Sequence, residues 1–208
     1  PIGRTDAGML TFSRYNTESA VRRSFPVTDA FIDKLFDLDR CFAVHYLPIE
    51  GSGKKLVLIN LHMSAYDKGG TIRAKQLAML NGVLKEERDK GNYVIAGGDF
   101  NHCLIADMFG SDEEALRYFK SEQKTPDWVK NSILHKSEIA DGYTIAASVN
   151  AATCRWADIP YREGVNFSTV IDGFIVSDNI DVKDEKTIDT KYSYSDHNPV
   201  LMQFALKA

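Results

Sequence analysis

Four short apolar segments of the chain each end in, or enclose, an acid or a histidine. They span residues 56–62, 92–101, 167–176 and 193–204. Runs of this length that contain β-branched residues are typical of buried strands. A buried carboxylate or imidazole is costly unless it is paired or binds a metal. Four such runs predict that strand ends converge on one polar site, and a site of this kind indicates an enzyme.

Asp99 and Asn101 follow the second of these runs, directly after Gly97 and Gly98. The glycines let the backbone turn sharply, and Phe100 between the two polar residues allows both side chains to point the same way. A carboxylate beside a carboxamide suits a water nucleophile next to a phosphate: one group orients or deprotonates the water and the other donates a hydrogen bond. The alternative is a loop in which these side chains bond the backbone.

Asp172 lies within the third run and therefore needs a partner. His197 is the candidate, because a buried carboxylate fixes the tautomer of an imidazole and stabilises its protonated form. Asp196 precedes His197 and points to the opposite side of an extended chain, so one can meet a metal while the other meets substrate. The simpler alternatives are a turn at Asp172 and Gly173 and a polar start to a strand.

His62 ends the first run, where it can donate a hydrogen bond to a phosphate oxygen or to a leaving group. A lone histidine in this position is equally compatible with a structural role. His45, His102 and His135 lack comparable settings and are assigned no role.

Composition narrows the class of protein. The chain has 208 residues and a formal net charge of −4, which argues against a broad basic face for nucleic acid but not against local basic contacts. The three cysteines are widely spaced and include no C-x-x-C, so neither a disulfide scaffold nor a zinc cluster is expected. No apolar run is long enough to cross a membrane.

The elements that must position these residues alternate between strands and helices, which predicts one α/β domain. Strands are predicted over 8–15, 40–49, 56–61 and 93–96, the middle two as a hairpin. The clearest helix is predicted over 71–90 and is ended by Gly91. Shorter helices are predicted from Ser111, by a capping box, and from Thr125, so that 101–145 is expected to be mostly helical.

The ordered set H…GGDFN…D…SDH resembles the endonuclease/exonuclease/phosphatase superfamily, which includes deoxyribonucleases and sphingomyelinases. GGDFN and SDHNPV in this order are specific, and Arg73 with Gln76 supports them more weakly. The resemblance covers nearly the whole chain as a single domain, residues 1–208, and is to bacterial members of unassigned substrate.

The resemblance implies a four-layer α/β sandwich, in which two packed mixed sheets are flanked by helices. It also implies attack of water on a phosphoester with Mg²⁺ (or Mn²⁺) as cofactor, the water being activated at Asp99 and His197. The catalytic residues would be His62, Asp99, Asn101, Asp172 and His197. The metal ligands would be Asp196, Asp99 and Asn101. Arg155 and Asn150 are assigned to substrate binding. His197 acts as a general base in one version of the family mechanism and as a phosphate-binding cation in another.

The family domain begins with a strand that ends in Asn and a strand that ends in a metal-binding Glu, and the sequence shows no equivalent of either. We therefore expect the chain to correspond to the last two-thirds of the domain, without the N-terminal strands and with an incomplete metal site. Alone, it is expected to bind metal poorly and to be weakly active or inactive. Its expected partner is the upstream segment of the same domain, and no obligate protein partner is predicted. The localisation stays open: the upstream segment could direct secretion or anchor the protein in a membrane, and otherwise the location is cytoplasmic.

Three functions remain open: a phosphodiesterase acting on nucleic acid, a related hydrolase acting on a lipid head group or phosphorylated small molecule, and a non-catalytic binding module that retains the fold. The negative net charge favours the second function over the first. The third is opposed by the joint presence of the polar residues His62, Asp99, Asn101, Asp172, Asp196 and His197. Substrate choice is expected on the loops 66–70, 108–136 and 151–166. Arg155, Trp156, Tyr161 and Arg162 in the last loop either stack on a base and clamp a phosphate or simply pack the loop.

Overall fold

The computed structural model describes residues 8–27, 40–65 and 70–207. In chain order the elements are β1 (Ser19–Ser24), β2 (Cys41–Pro48), β3 (Lys55–His62), α1 (Thr71–Asp89), β4 (Tyr93–Asp99), α2 (Asp112–Leu116), α3 (Asp127–Lys130), β5 (Tyr143–Ala146), β6 (Cys154–Arg155), β7 (Ser168–Thr169), β8 (Asp172–Ser177), β9 (Ile180–Thr187) and β10 (Val200–Leu206). Short 3-10 turns lie at Ala106–Met108 and Lys136–Glu138.

A six-stranded mixed sheet forms the centre of the fold, with the strand order β1-β2-β3-β4-β8-β5. β2 and β3 form the predicted antiparallel hairpin, whereas β3 and β4 are parallel and β8 is antiparallel to β4. In this register His62 lies opposite Asp99, and Asp99 lies opposite Asp172. Three of the predicted site residues therefore form one row across adjacent strands.

The two faces of the sheet pack against different partners, which confirms the predicted α/β sandwich. On one face, alternate residues of β3 (Val57, Ile59 and Leu61) join Leu80 and Leu84 of α1 in the larger core. On the other face, a smaller cluster packs the antiparallel β9–β10 pair onto the sheet. The buried members of that cluster are Tyr93, Ile95, Val176 and Ile180.

Helix α1 has almost the predicted bounds. Gly91 follows its end with a φ of 74°, the left-handed conformation that commonly terminates helices. Gln76, buried on this helix, accepts a hydrogen bond from the backbone N–H of Ser64 at 2.9 Å and donates to the Ser64 hydroxyl at 2.8 Å. Arg73 donates to the carbonyl of Ala65 at 2.9 Å. These two residues of the resemblance therefore hold the loop that follows His62.

The predicted strand over residues 8–15 is wrong. Leu10, Phe12 and Tyr15 are exposed, and no strand among the described residues pairs with this segment. Asn60 donates to the carbonyl of Leu10 at 3.2 Å. The apolar alternation therefore did not suffice, because a strand also needs a hydrogen-bonding neighbour. β1 lies further along and pairs with β2 instead.

The predicted mostly helical region over 101–145 is also wrong. Ser111 caps α2 as expected, but α2 has only five residues and α3 only four. Helices this short gain little from their own hydrogen bonds. Side-chain contacts hold the loops instead, for example between His135 Nδ1 and Asp107 Oδ1 at 2.7 Å.

The third apolar run, residues 167–176, is divided between β7 and β8 rather than forming one strand. The carbonyls of Val170 and Ile171, between the two strands, accept hydrogen bonds from the backbone N–H groups of Leu104 and Phe100, both at 3.0 Å. The break places Asp172 at the start of β8, beside the end of β4.

Cys41, Cys103 and Cys154 are all free. Within residues 8–27, 40–65 and 70–207, no helix combines the length and the apolar character needed to span a bilayer.

The close approach of β4 to β3 at Gly98 generates a stability prediction. Gly98 has a φ of 143°, and a Cβ there would lie 2.0 Å from the carbonyl oxygen of Leu61. Gly98→Ala should therefore lower the free energy of unfolding by about 3 kcal/mol or more. Gly82→Ala is the matched control, because Gly82 is exposed in α1 with open space around it, and it should stabilise by up to about 1 kcal/mol. Urea unfolding of both variants measures the difference, and equal effects would contradict the close approach.

Candidate active site

His62 and Asp99, at the ends of β3 and β4, line a cavity of about 590 Å³. Asn101, Asp196 and His197 line the same cavity, with His62 and Asp99. The structure thus brings together most of the residues that the sequence analysis selected. The further lining residues are Arg40, Ala65, Trp128, Cys154, Arg155, Trp156, Ala157, Asp158 and Ile171.

Asp172 and His197 form the predicted pair. His197 Nδ1 lies 2.8 Å from Asp172 Oδ2, and both side chains are largely buried. Burial alone would lower the pKa of His197, but the paired carboxylate of Asp172 outweighs it and raises this pKa well above its ordinary value. Burial raises the pKa of the neighbouring Cys154 thiol, so this group carries no charge at neutral pH. His197 is therefore an imidazolium at neutral pH.

Thr153 fixes the position of the Asp172 backbone. Its hydroxyl oxygen accepts hydrogen bonds from the backbone N–H groups of Ile171 and Asp172, at 3.0 and 3.1 Å. Asn198 donates its backbone N–H to the Thr153 carbonyl at 2.7 Å. The same short segment therefore positions both members of the pair, although they are 25 residues apart in sequence.

Asp99 and Asn101 form a compact turn that agrees with both interpretations of the sequence. Asp99 Oδ1 accepts from the backbone N–H of Asn101 at 2.7 Å, as in a purely structural loop. The Asn101 side-chain amide donates to the carbonyl of Met63 at 2.9 Å and to Asp99 Oδ2 at 3.2 Å. Asn101 has a φ of 50°, which asparagine tolerates better than most residues. The turn holds both side chains at the cavity.

Arg40 is a site residue that the sequence analysis missed. Its Nη1 lies 2.7 Å from His62 Nε2, and the same His62 nitrogen lies 3.2 Å from Asp99 Oδ2. Arg40 is only 9% exposed, and its Nε has no hydrogen-bond partner among the described residues. The sequence predicted the hairpin but not its register: Cys41 of β2 lies opposite His62 of β3, and this pairing brings the preceding Arg40 to the site.

The donor set suits a hard cation. Ligand atoms of Asp99, Asp172 and His197 lie within 4.8 Å of one another. His197 is protonated and paired, so oxygen donors remain, and Asp196 and Asn101 line the same cavity. Mg²⁺ is commonly bound by one or two carboxylates, with water and substrate phosphate completing its octahedral shell. The carboxylate chemistry of the cavity fits such an ion, but Asp196 lies outside the close group of Asp99, Asp172 and His197, so Asp99, Asp196 and Asn101 stay predicted ligands.

Arg155 reaches the cavity from a loop that also packs against itself. Its guanidinium lies 5.9 Å from the ring of Tyr161 and 6.0 Å from that of Tyr192, and Nη1 donates to the carbonyl of Ile159 at 3.2 Å. Its backbone N–H donates to the carbonyl of Asp196 at 3.0 Å. The loop is therefore packed and also lines the cavity, and the contact of Arg155 with substrate stays a prediction.

Asn150 is not brought to the cavity. Its side-chain amide donates to the carbonyl of Thr187 at 2.9 Å, and its Oδ1 accepts from the Thr187 backbone N–H at 2.9 Å. Both polar atoms of the side chain are thus used by the end of β9. A substrate contact from Asn150 stays a prediction that this arrangement does not favour. Trp128 lines the cavity without having been predicted.

No protein-family model and no functionally curated sequence matches the chain. Solved structures do. A mannosyl-6-phosphatase of Bacteroides thetaiotaomicron is 17% identical, with a TM-score of 0.53 over 92% of this chain and 67% of that one. D. rerio TDP2, complexed with a single-strand DNA product, is 18% identical, with a TM-score of 0.56 over 91% and 68%. An endonuclease/exonuclease/phosphatase from Bacteroides vulgatus is 18% identical, with a TM-score of 0.55 over 93% and 67%.

The chain therefore has an α/β sandwich fold. In particular, the fold is that of the endonuclease/exonuclease/phosphatase proteins, which confirms the fold that the resemblance in the sequence implied. At these identities the likeness concerns the fold alone.

The Asp172–His197 pair generates a prediction about protonation. Asp172→Asn removes the carboxylate while keeping a hydrogen-bonding side chain, so burial should then lower the pKa of His197 to about 6.5 or below. Imidazole nitrogen NMR shifts across a pH titration report this value. His102 is the internal control: burial already lowers its pKa, and its ring nitrogen contacts the carbonyl of Phe100. An unchanged His197 titration would show that Asp172 does not stabilise the imidazolium.

Proposed function

We propose that the chain hydrolyses phosphoesters with a divalent cation, Mg²⁺ or Mn²⁺, and that phosphodiesters are its substrates. The observation that carries this proposal is the Asp172–His197 pair, which presents a buried imidazolium beside the Asp99 carboxylate in one cavity. A cation next to a carboxylate suits a phosphate group and an attacking water. The neighbours in fold, a mannosyl-6-phosphatase and a protein complexed with a DNA product, support phosphate chemistry.

The roles follow from charge. The sequence leaves His197 as either a general base or a phosphate-binding cation, and its raised pKa favours the cation. His197 then binds a non-bridging phosphate oxygen, where charge accumulates during attack. Asp99 is the remaining base: it orients the water and accepts its proton. Asn101 helps to hold Asp99 through its hydrogen bonds.

The cation would be held by Asp99, Asp196 and Asn101. When bound, it neutralises charge on the phosphate oxygens. These side chains leave part of an octahedral shell to other oxygen donors, so we expect metal affinity to be weak. Asp196 is exposed, which places it at the rim of the cavity rather than at its base.

Arg40 and His62 complete the phosphate-binding side of the cavity. The positive charge of Arg40 is nearly buried and lies on the same side as Asp99, with which His62 is in contact. Arg40 lines the cavity, and a guanidinium that reaches a phosphate can donate to its oxygens. His62 either supports the phosphate or donates to the leaving group.

Hydrolysis of bis(p-nitrophenyl) phosphate tests the proposal. Activity should require millimolar Mg²⁺ or Mn²⁺ and be abolished by EDTA, and it should be weak in this chain alone because its metal site is expected to be incomplete. His197→Gln and Asp99→Asn should each lower kcat by at least about 100-fold, the usual contribution of a positioned catalytic group. His135→Gln, outside the cavity, is the control and should leave kcat unchanged. Activity on p-nitrophenyl phosphate alone would identify a phosphomonoesterase. No activity on either compound, both in this chain and in a chain extended by the upstream segment of the domain, would favour the binding module.

Arg40 has its own test. Arg40→Gln should lower kcat/KM for bis(p-nitrophenyl) phosphate by about 10- to 100-fold, because a hydrogen bond to a charged group contributes about 1.5–3 kcal/mol. Arg40→Lys keeps the charge but loses the planar fork, so it should recover only part of the loss. Thermal unfolding of both variants separates this effect from instability. Full activity in Arg40→Gln would leave Arg40 with a structural role only.

A further inference from the structure

A second cavity, of about 290 Å³, lies beside the candidate active site in the α2–α3 region. We call it the basic pocket, because several cationic side chains surround it. Phenylalanine rings contribute apolar surface. The residues that define it are Arg117, Phe119, Lys120, Glu122, Lys124 and Phe167.

The charges around the basic pocket favour an anion. Lys120 and Lys124 are exposed, and neither has an ion-pair partner within 4.0 Å among the residues that the structure describes. Arg117 is paired with Glu113 at 3.3 Å, and Glu122 is the one acid among the pocket-lining residues. Two free ammonium groups at one pocket are notable in a chain whose net charge is −4.

One wall separates the basic pocket from the active-site cavity. Gln123 Nε2 donates to Asp158 Oδ1 at 3.0 Å, and Gln123 Oε1 accepts from the backbone N–H of Phe167 at 2.8 Å. The backbone N–H of Trp156 donates to the carbonyl of Phe167 at 2.8 Å. Asp158 and Trp156 line the active-site cavity, while Gln123 and Phe167 line the basic pocket. Direct hydrogen bonds across this wall make the two cavities neighbours.

We propose that the basic pocket binds a second phosphate of the substrate whose first phosphate occupies the cavity of His197 and Asp99. This proposal rests on the proposed function and gives it a substrate class: compounds with at least two phosphates. An oligonucleotide strand and a small molecule with two phosphates share this chemistry. Trp156, 37% exposed at the wall, offers a ring on which a base can stack, which favours the oligonucleotide.

The test compares two double variants that remove the same charge. Lys120→Gln/Lys124→Gln alters the basic pocket. Lys75→Gln/Lys136→Gln removes two exposed lysines that line neither cavity. Binding of a fluorescent single-stranded oligonucleotide is measured by anisotropy in EDTA at several salt concentrations, and KM is measured for the oligonucleotide and for bis(p-nitrophenyl) phosphate with Mg²⁺.

The pocket variant should bind the oligonucleotide at least about 10-fold more weakly, with a salt dependence reduced by about 0.7 for each lost phosphate contact. Its KM for the oligonucleotide should rise while that for bis(p-nitrophenyl) phosphate, which has one phosphate, stays unchanged. An equal loss of oligonucleotide affinity in both double variants, or no loss in either, would overturn the proposal that the basic pocket binds a phosphate.

A competition experiment distinguishes the two phosphate sources. If the pocket variant loses affinity for a soluble inositol bisphosphate but not for the oligonucleotide, the second phosphate belongs to a small molecule and the nucleic-acid source is excluded. The binding measurement does not depend on hydrolysis. If the proposed function is wrong, the chain should show no turnover of the phosphoesters. It should still bind the oligonucleotide through Lys120 and Lys124.

Discussion

The register between β3, β4 and β8 is the constraint on which the candidate site depends. It places His62, Asp99 and Asp172 opposite one another, although they are spread over more than half of the chain. Because neighbouring strands lie about 4.8 Å apart, the register alone brings these groups within reach of a single phosphate. A slip by one residue would turn the acids to the other face of the sheet. The backbone contact at Gly98 is what permits this alignment.

The register concentrates acids that would repel each other, and the surroundings balance them. Asp172 is neutralised by His197, and Asp99 lies in contact with His62, which in turn contacts Arg40. The guanidinium of Arg40 and the imidazole of His197 are largely buried, so water screens their fields weakly. The cavity therefore combines fixed positive groups with the Asp99 carboxylate, an arrangement that suits a phosphate better than a neutral substrate.

Sequence reasoning succeeded where a residue conflicted with its local surroundings. Asp172 in an apolar run required a partner, and His197 was the right one. It failed where contacts between distant segments decide the structure. Arg40 becomes a site residue only through the pairing of β2 with β3, and the segment 8–15 lacks the neighbour that its apolar pattern requires. In 101–145, correct capping signals at Ser111 could not show that α2 ends after one turn, because packing rather than propensity sets the length of so short a helix.

Asn150, selected from the sequence as a substrate contact, has another consequence for the molecule. Its amide makes with Thr187 the two hydrogen bonds that a neighbouring strand would make, on the side of β9 that faces away from β10. A side chain thus replaces a strand at the open edge of the pair. Unpaired sheet edges are templates for association with other chains. Asn150 therefore satisfies the backbone at this end of β9, and one loop residue occupies the position where another strand could pair.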